Sequence, residues 1–505
     1  MKALALGLAL VLACCASPRG ANEALRFYDE KLASLTVPLL EEAIRFPTFR
    51  GNTAARDAQQ VWLMTTATRL GLVPRDTGKV VEIDLPGPAG APVLGLVVHG
   101  DVQPVDEKAW SIPPFDGVTK DGAVFGRGAA DDKGPLVQAL LAMRALERAG
   151  PARTHTIRLI VGSDEESDNT DMKEYLAAHR PPDYSLVLDY LFPVVVGEMA
   201  WTGLYVDAVP GARSNAELPF RIESLEAGLS ASIVPDTAEL RLQWIRGVPS
   251  WGSLVARLSE RQLPPGTRLE HAEAPGDNSR LRIVARGKSA HGGMNLEGGR
   301  NALVALARAT EGLLPTSGED DLLAFVRLAG RDLYGTGLGL TENDPIWGRY
   351  LVNVGTVKAR DDGRLRLEIA LRRPPPRTGP QIKAHLEKVV ATFNARTNAS
   401  LTVDGYWVDE PLSFDPESKL VKRLLADYAA ATGDAARPAV AGGGSYAKRL
   451  PNSIAFGMWF PGKPYPGHDV DEAIQIADLH RGSRVLIAAL TDIACGPRIE
   501  QPFAR

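Results

Sequence analysis

Apolar runs too continuous for half-exposed strands alternate with helical periodicity from Leu25 to about Gly197, give way to another pattern, and return near the C-terminus. Residues 93–98, 156–161 and 185–188 carry few polar side chains, as strands buried on both faces do. Between two of them, Leu136, Leu140, Met143 and Leu146 recur at helical spacing. Pro135 suits a first helical position, and Gly150 can close the turn. Strand–helix alternation of this kind predicts a mostly parallel α/β sheet. From about Trp201 to Thr397 the pattern is instead alternating polar and apolar, as at Leu240-Arg241-Leu242-Gln243-Trp244 and Leu365-Arg366-Leu367-Glu368-Ile369, with a helical stretch over 301–313. A helix over 418–431 and a strand over 453–460 then restore the first pattern. A chain of 505 residues exceeds one core. The expected architecture is therefore an α/β domain built from residues 22–200 and 399–505, with an α+β lid domain inserted at 201–398.

The N-terminus predicts a destination. Met1-Lys2 precedes an uninterrupted small or apolar run from Ala3 to Ala13, shorter than the roughly 20 residues that span a bilayer but suited to a secretory signal over residues 1–20. Val11-Leu12-Ala13-Cys14 resembles a bacterial lipobox in which Cys14 is lipidated after cleavage; plain cleavage after Ala16 or Ala21 is the alternative. The expectation is export to the periplasm or cell envelope, with any membrane attachment made only through a lipid at Cys14. Only Cys14, Cys15 and Cys495 occur, which excludes a disulfide framework and a thiolate metal cluster in the mature domain. A net charge of −4 argues against nucleic acid as a partner.

Chemistry-bearing residues fall just after the strand patterns. His99 and Asp101 follow the first strand, Asp131 stands in Gly126-Arg127-Gly128-Ala129-Ala130-Asp131-Asp132-Lys133-Gly134, and Glu165 and Glu166 follow the second strand. Asp189 follows the third, with Asp183 at that strand's start as its rival, and His468 lies in the loop beyond 453–460. Open α/β sheets gather ligands at the carboxyl ends of their strands, so these positions should converge. Adjacent carboxylates repel unless a cation lies between them. A hydrolytic centre of two metals needs histidines and carboxylates of this kind. Residues 99 and 101 share one side of an extended chain, so the Asp101 carboxylate can accept the second imidazole N–H of His99.

These residues resemble the M20 metallopeptidases, and within them the dipeptidase branch that includes PepV-like and carnosinase-like enzymes. The resemblance runs from about residue 25 to 490. It rests on His99-x-Asp101 followed by Trp110, the 126–134 segment, Asp164-Glu165-Glu166-Ser167, Gly287-x-x-Ala290-His291-Gly292 and Pro466-Gly467-His468. It implies two divalent metal ions, zinc or else manganese or cobalt, with Asp131 bridging, His99 and Asp189 completing one site, and Glu166 and His468 the other. It implies Asp101 orienting His99, Glu165 as general base to a metal-activated water, and His291 reaching from the lid to the oxyanion of the transition state. Arg372 or its neighbour Arg373 would hold the terminal carboxylate of a small peptide substrate, with backbone N–H groups at Gly443 and Gly444 assisting. Where relatives commonly carry Asn-x-Val-Pro, this chain has Ser232-Ile233-Val234-Pro235.

The leading expectation is a dipeptidase, as a monomer or homodimer. An M20 deacylase or carboxypeptidase acting on N-acyl amino acids or peptide C-termini shares the reaction class. A non-catalytic binding protein on the same fold would be expected to lack Glu165, Asp131 or His468, and all three are present. His155, His179, His271, His385 and His480 follow no site pattern and are expected at the surface.

Overall fold

The computed structural model describes residues 19–211, 218–463, 465 and 467–505. The signal and lipobox expectation, Cys14 included, lies outside the described residues, as does Pro466.

Two sheets with separate cores divide the chain. In the first, Thr156–Gly162, Val93–His99, Tyr184–Val187 and Ser453–Ala455 run parallel and neighbour one another in that order. Antiparallel strands extend it on both sides: Val73–Asp76 and Val81–Leu85 beyond Thr156–Gly162, and Val195–Glu198 and Leu412–Ser413 beyond Ser453–Ala455. The helix Lys133–Ala149 starts two residues before the expected Pro135 and is buried around most of its circumference. It packs against Ala33–Ile44 and Ile476–Cys495 as well as the sheet, which explains apolar residues beyond a single stripe. The expected strand over 453–460 is two pieces, Ser453–Ala455 and Met458–Trp459, the second pairing with Tyr190–Leu191 rather than with the main sheet.

The insert is an antiparallel sheet in the order Arg268–Ala274, Asp277–Arg286, Thr237–Trp244, Phe220–Ala227, Leu351–Ala359, Leu365–Arg373, Ala200–Ala208 and Thr402–Val408. The last strand shows that the insert outruns the expected boundary at 398: Thr402–Val408 still pairs with Ala200–Ala208. A domain boundary follows hydrogen bonding across the sheet, and the pairing partner here is about two hundred residues away in sequence. One face of the sheet is covered by Ala302–Ala309, Gly318–Ala329 and Gly379–Thr397, whose apolar residues form the second core. The side chain of Asn301 caps the first of these by accepting from Val304 N at 3.0 Å.

Candidate active site

The carboxyl ends of the parallel strands meet at a cavity of about 500 Å³ whose walls come from both domains. His99 ends its strand and is fully buried. Gly100 follows because Gln59 leaves no room for a side chain: an added Cβ would lie 2.0 Å from Gln59 Nε2, which donates to Gly100 O. The segment after it places Asp101 differently from the sequence expectation. The second imidazole nitrogen, Nδ1, lies 3.0 Å from the backbone carbonyl of Asp101 and 3.6 Å from its carboxylate. The carboxylate oxygens instead accept the backbone N–H groups of Glu165 and Glu166 at 3.2 and 3.0 Å. Asp101 thus fixes the His99 tautomer through its main chain and the Glu165–Glu166 turn through its side chain.

Asp131 stands on a loop organised by a residue the sequence reading missed. Glu472, 1% exposed, accepts N–H groups from Gly128, Ala130 and Asp131 at 2.9–3.1 Å and the Arg127 guanidinium at 2.8 Å. Gly128 takes φ +89°, which glycine adopts without strain. Lys133, its ammonium donating to Ala43 O and Phe46 O, has its pKa pushed down to about 7 by burial. The Asp131 oxygens face different imidazoles: Oδ1 is 3.0 Å from His99 Nε2 and Oδ2 is 3.2 Å from His468 Nε2. Glu166 Oε1 lies 2.9 Å from His468 Nε2, and Asp189 Oδ2 lies 3.9 Å from His99 Nε2. One donor atom from each of His99, Glu165 and Asp189 falls within a 4.8 Å cluster, and so does one from each of His99, Asp131 and Glu166. Asp183 is excluded, since it sits exposed at the opposite end of its strand with Oδ2 accepting Val93 N.

Electrostatics favour a cation here. Burial and then the charges of Asp131 and Asp132 push the Asp189 carboxyl well above its usual range. Burial and then Asp189 do the same to Glu165. So dense a set of buried carboxyls needs protons or metal ions among them. The N/O donor set, without sulfur, fits zinc, manganese or cobalt alike. His468 holds its position at φ +67°, the kind of backbone strain that collects at functional sites. Tyr465, also unforeseen, donates its hydroxyl to Asp131 Oδ2 at 2.5 Å. No spacing rule signals either Glu472 or Tyr465, because both act across more than 300 residues of sequence.

The lid completes the cavity. The His291 ring centroid is 5.1 Å from that of His468. His291 Nδ1 accepts N–H from Gly293 and Met294 at 3.1 and 2.9 Å, so the proton of a neutral ring resides on Nε2. Burial, then the charges of His468 and Arg372, hold its pKa well below the usual value. The loop is pinned by Gly292 N to Ser232 O at 2.7 Å and by Asn353 Nδ2 to Ala231 O and Ile233 O. Ser232, the departure noted above, therefore keeps a main-chain contact and lines the cavity.

Strand register separates the two arginines. Arg373 turns away and donates to Arg377 O, Asp409 O and Glu410. Arg372 lines the cavity, 6% exposed, with its guanidinium carbon 5.3 Å from the Trp201 ring centroid. It has no carboxylate within ion-pair distance among the described residues, and burial pushes its pKa down to about 10. Gly443 and Gly444 line the cavity too, but the Gly443 N–H is already engaged by the Tyr190 hydroxyl at 2.8 Å, so it does not offer the free donor expected of it. His155 also departs from expectation: it is buried and pairs with the Tyr184 hydroxyl at 3.1 Å.

Residues 95–492 match the peptidase family M20/M25/M40. The chain belongs to this family. The M20 match spans both halves of the catalytic domain and the lid between them. A Bacillus subtilis (strain 168) protein named "Putative dipeptidase YtjP" is 29% identical over 413 residues, covering 80% of this chain and 84% of its own. A similarly named Staphylococcus haemolyticus (strain JCSC1435) protein is 28% identical, covering 79% and 83%. Among solved structures, human carnosine dipeptidase 1 superposes with a TM-score of 0.57 at 14% identity over 94% of this chain and 99% of its own. The Saccharomyces cerevisiae di-peptidase Dug1p gives 0.56 at 14% over 93% and 98%. At that identity the likeness is one of fold.

Proposed function

We propose that this M20 peptidase is an exported dipeptidase that hydrolyses the peptide bond of unblocked dipeptides. The observation that carries the reading is Arg372, a buried cation without an ion-paired carboxylate among the described residues, on the wall of the cavity that holds the metal-ligand cluster. A buried charge is costly unless paired, and a substrate carboxylate supplies the pairing. The planar guanidinium receives that carboxylate through two parallel hydrogen bonds. The names of the sequence relatives agree with this reading.

Asp131 would bridge two divalent ions, with His99 and Asp189 completing one site and Glu166 and His468 the other. Such ions, when bound, supply the Lewis acidity that brings a water's pKa toward neutrality. Glu165 takes the proton of the attacking water and returns it to the amine nitrogen as the C–N bond breaks. His291 donates its Nε2–H to the carbonyl oxygen as negative charge develops there. Asp101 holds His99 and the Glu165–Glu166 turn in register. Residues 1–20 direct export, with lipidation at Cys14. No helix among the described residues is long and apolar enough to cross a membrane.

The test is a substrate panel on the purified, metal-loaded protein: unblocked dipeptides, their C-terminal amides, and N-acetyl amino acids, with metal content measured in the same preparation. Preferred cleavage of free dipeptides supports the proposal. Preferred cleavage of N-acetyl amino acids replaces it with the deacylase reading. Metabolic labelling with a fatty acid, lost in Cys14→Ser, tests the anchor.

A further inference from the structure

A second cavity, of about 370 Å³, lies in the lid, outside the active site. Its wall is apolar, made by Val234, Leu296, Val304 and Val352 among others, and its volume falls in the range of small-molecule sites. Val234 and Leu296 belong to a small apolar cluster with Ala290, so the floor of this cavity is the back of the loop that carries His291.

Two features make it more than a packing gap. Arg300, Arg308 and Arg331 stand on its lining, and none is paired with a carboxylate among the described residues. Arg300 and Arg308 are fixed by backbone carbonyls, those of Glu297 and Gly299 for the first and of Gly330 and Arg331 for the second. The one acid on the lining, Asp332, already accepts from Tyr334 N, Thr336 N and the Thr336 hydroxyl. The second feature is Asn353, 1% exposed. It lines the cavity while its Nδ2 holds Ala231 O and Ile233 O on the active-site side.

Three guanidiniums ask for an anion, and the wall asks for an apolar body. We propose that the lid cavity binds a free apolar amino acid, its carboxylate met by Arg331 with Arg300 and Arg308, and its side chain by the Val234–Leu296–Val304 wall. Such amino acids are products of the reaction proposed above, and the choice of occupant rests on that reading. Because Asn353 also ties the 231–233 segment that pins His291, occupancy of the lid cavity acts on turnover, as differential binding to two loop arrangements must.

The experiment is calorimetric titration of the metal-loaded protein with L-leucine, in wild type, Arg372→Met, Val304→Phe and Arg331→Glu. Leucine binding that survives in Arg372→Met, weakens at least about tenfold when Val304→Phe fills the cavity, and weakens similarly in Arg331→Glu supports the site. Absence of binding in Arg372→Met overturns it, as does binding indifferent to both lid substitutions. Arg331 is exposed, so that variant remains decisive if Val304→Phe fails to fold. Leucine should also lower kcat at saturating dipeptide, whereas product competing at the active site raises only KM; an unchanged kcat overturns the coupling. If no dipeptide is cleaved at all, the dipeptidase reading falls while the titration still decides the cavity.

Discussion

Replacing Arg372 with methionine separates a substrate anchor from a structural cation. The side chain is 6% exposed, stacked on Trp201, and unpaired with any carboxylate among the described residues. A charge-assisted hydrogen bond contributes about 1.5–3 kcal/mol, and a bidentate pair contributes two. An amidated C-terminus keeps one acceptor, its carbonyl, and loses the other together with the charge. The expected loss is therefore about 3 kcal/mol, or about 10²-fold in kcat/KM at 1.4 kcal/mol per factor of ten. Wild type should prefer a free dipeptide over its amide by that factor. Arg372→Met should lower kcat/KM for the free acid by a similar amount and leave the amide nearly unchanged. Removing a buried cation that lacks a partner should leave the melting temperature unchanged or raise it, as happens where function is held at a cost in stability. Steady-state kinetics on the acid–amide pair and a thermal melt make the check. Equal cleavage of acid and amide by wild type refutes the anchor, and a large drop in melting temperature in the variant would assign Arg372 to the fold instead.

Other substitutions test the remaining parts. Glu165→Gln should lower kcat by about 10²–10⁴-fold with metal content unchanged, measured by turnover and elemental analysis; activity within about tenfold of wild type removes it from the mechanism. His291→Ala should reduce kcat by about 10²-fold or more while KM and metal content change little, and an unaffected kcat rules out its role at the oxyanion. Glu472→Gln leaves Arg127 buried and unmatched beside the Asp131 loop, so chemical denaturation should show a loss of about 3–5 kcal/mol together with weaker metal binding. Burial and then the charge of Asp492 push the Asp427 carboxyl up to about 8, and its Oδ2 has no partner among the described residues. The unfolded carboxyl ionises near pH ~4 while the folded one stays protonated, so Asp427 makes the fold lose stability as pH rises from ~4 to about 8. Asp427→Asn should accordingly raise the melting temperature at pH 8 more than at pH 4, and an equal shift at both contradicts the assignment.

Local order was written in the sequence wherever a short segment decides its own structure. The apolar run ending at His99 and the alternation around Leu240 and Leu365 report burial on two faces and on one, and the periodicity after Pro135 marks a helix, though not that it is buried nearly all round. The family motifs went further, since each ligand type recurs at a fixed place after a strand, and together they named the cluster that the structure brings to one cavity. Pairing across long loops was not legible. Thr402–Val408 joins the lid sheet because Ala200–Ala208 offers it an edge, and nothing in its own residues names that partner. The same holds for Glu472 and Tyr465, which act on Asp131 from more than 300 residues away. Register, too, is tertiary: Arg372 and Arg373 are chemically identical neighbours, and only the pairing of Leu365–Arg373 with Ala200–Ala208 and Leu351–Ala359 turns one to the cavity and the other toward Glu410. Side-chain direction in a strand has a period of two, so one residue of register decides which arginine faces the cavity.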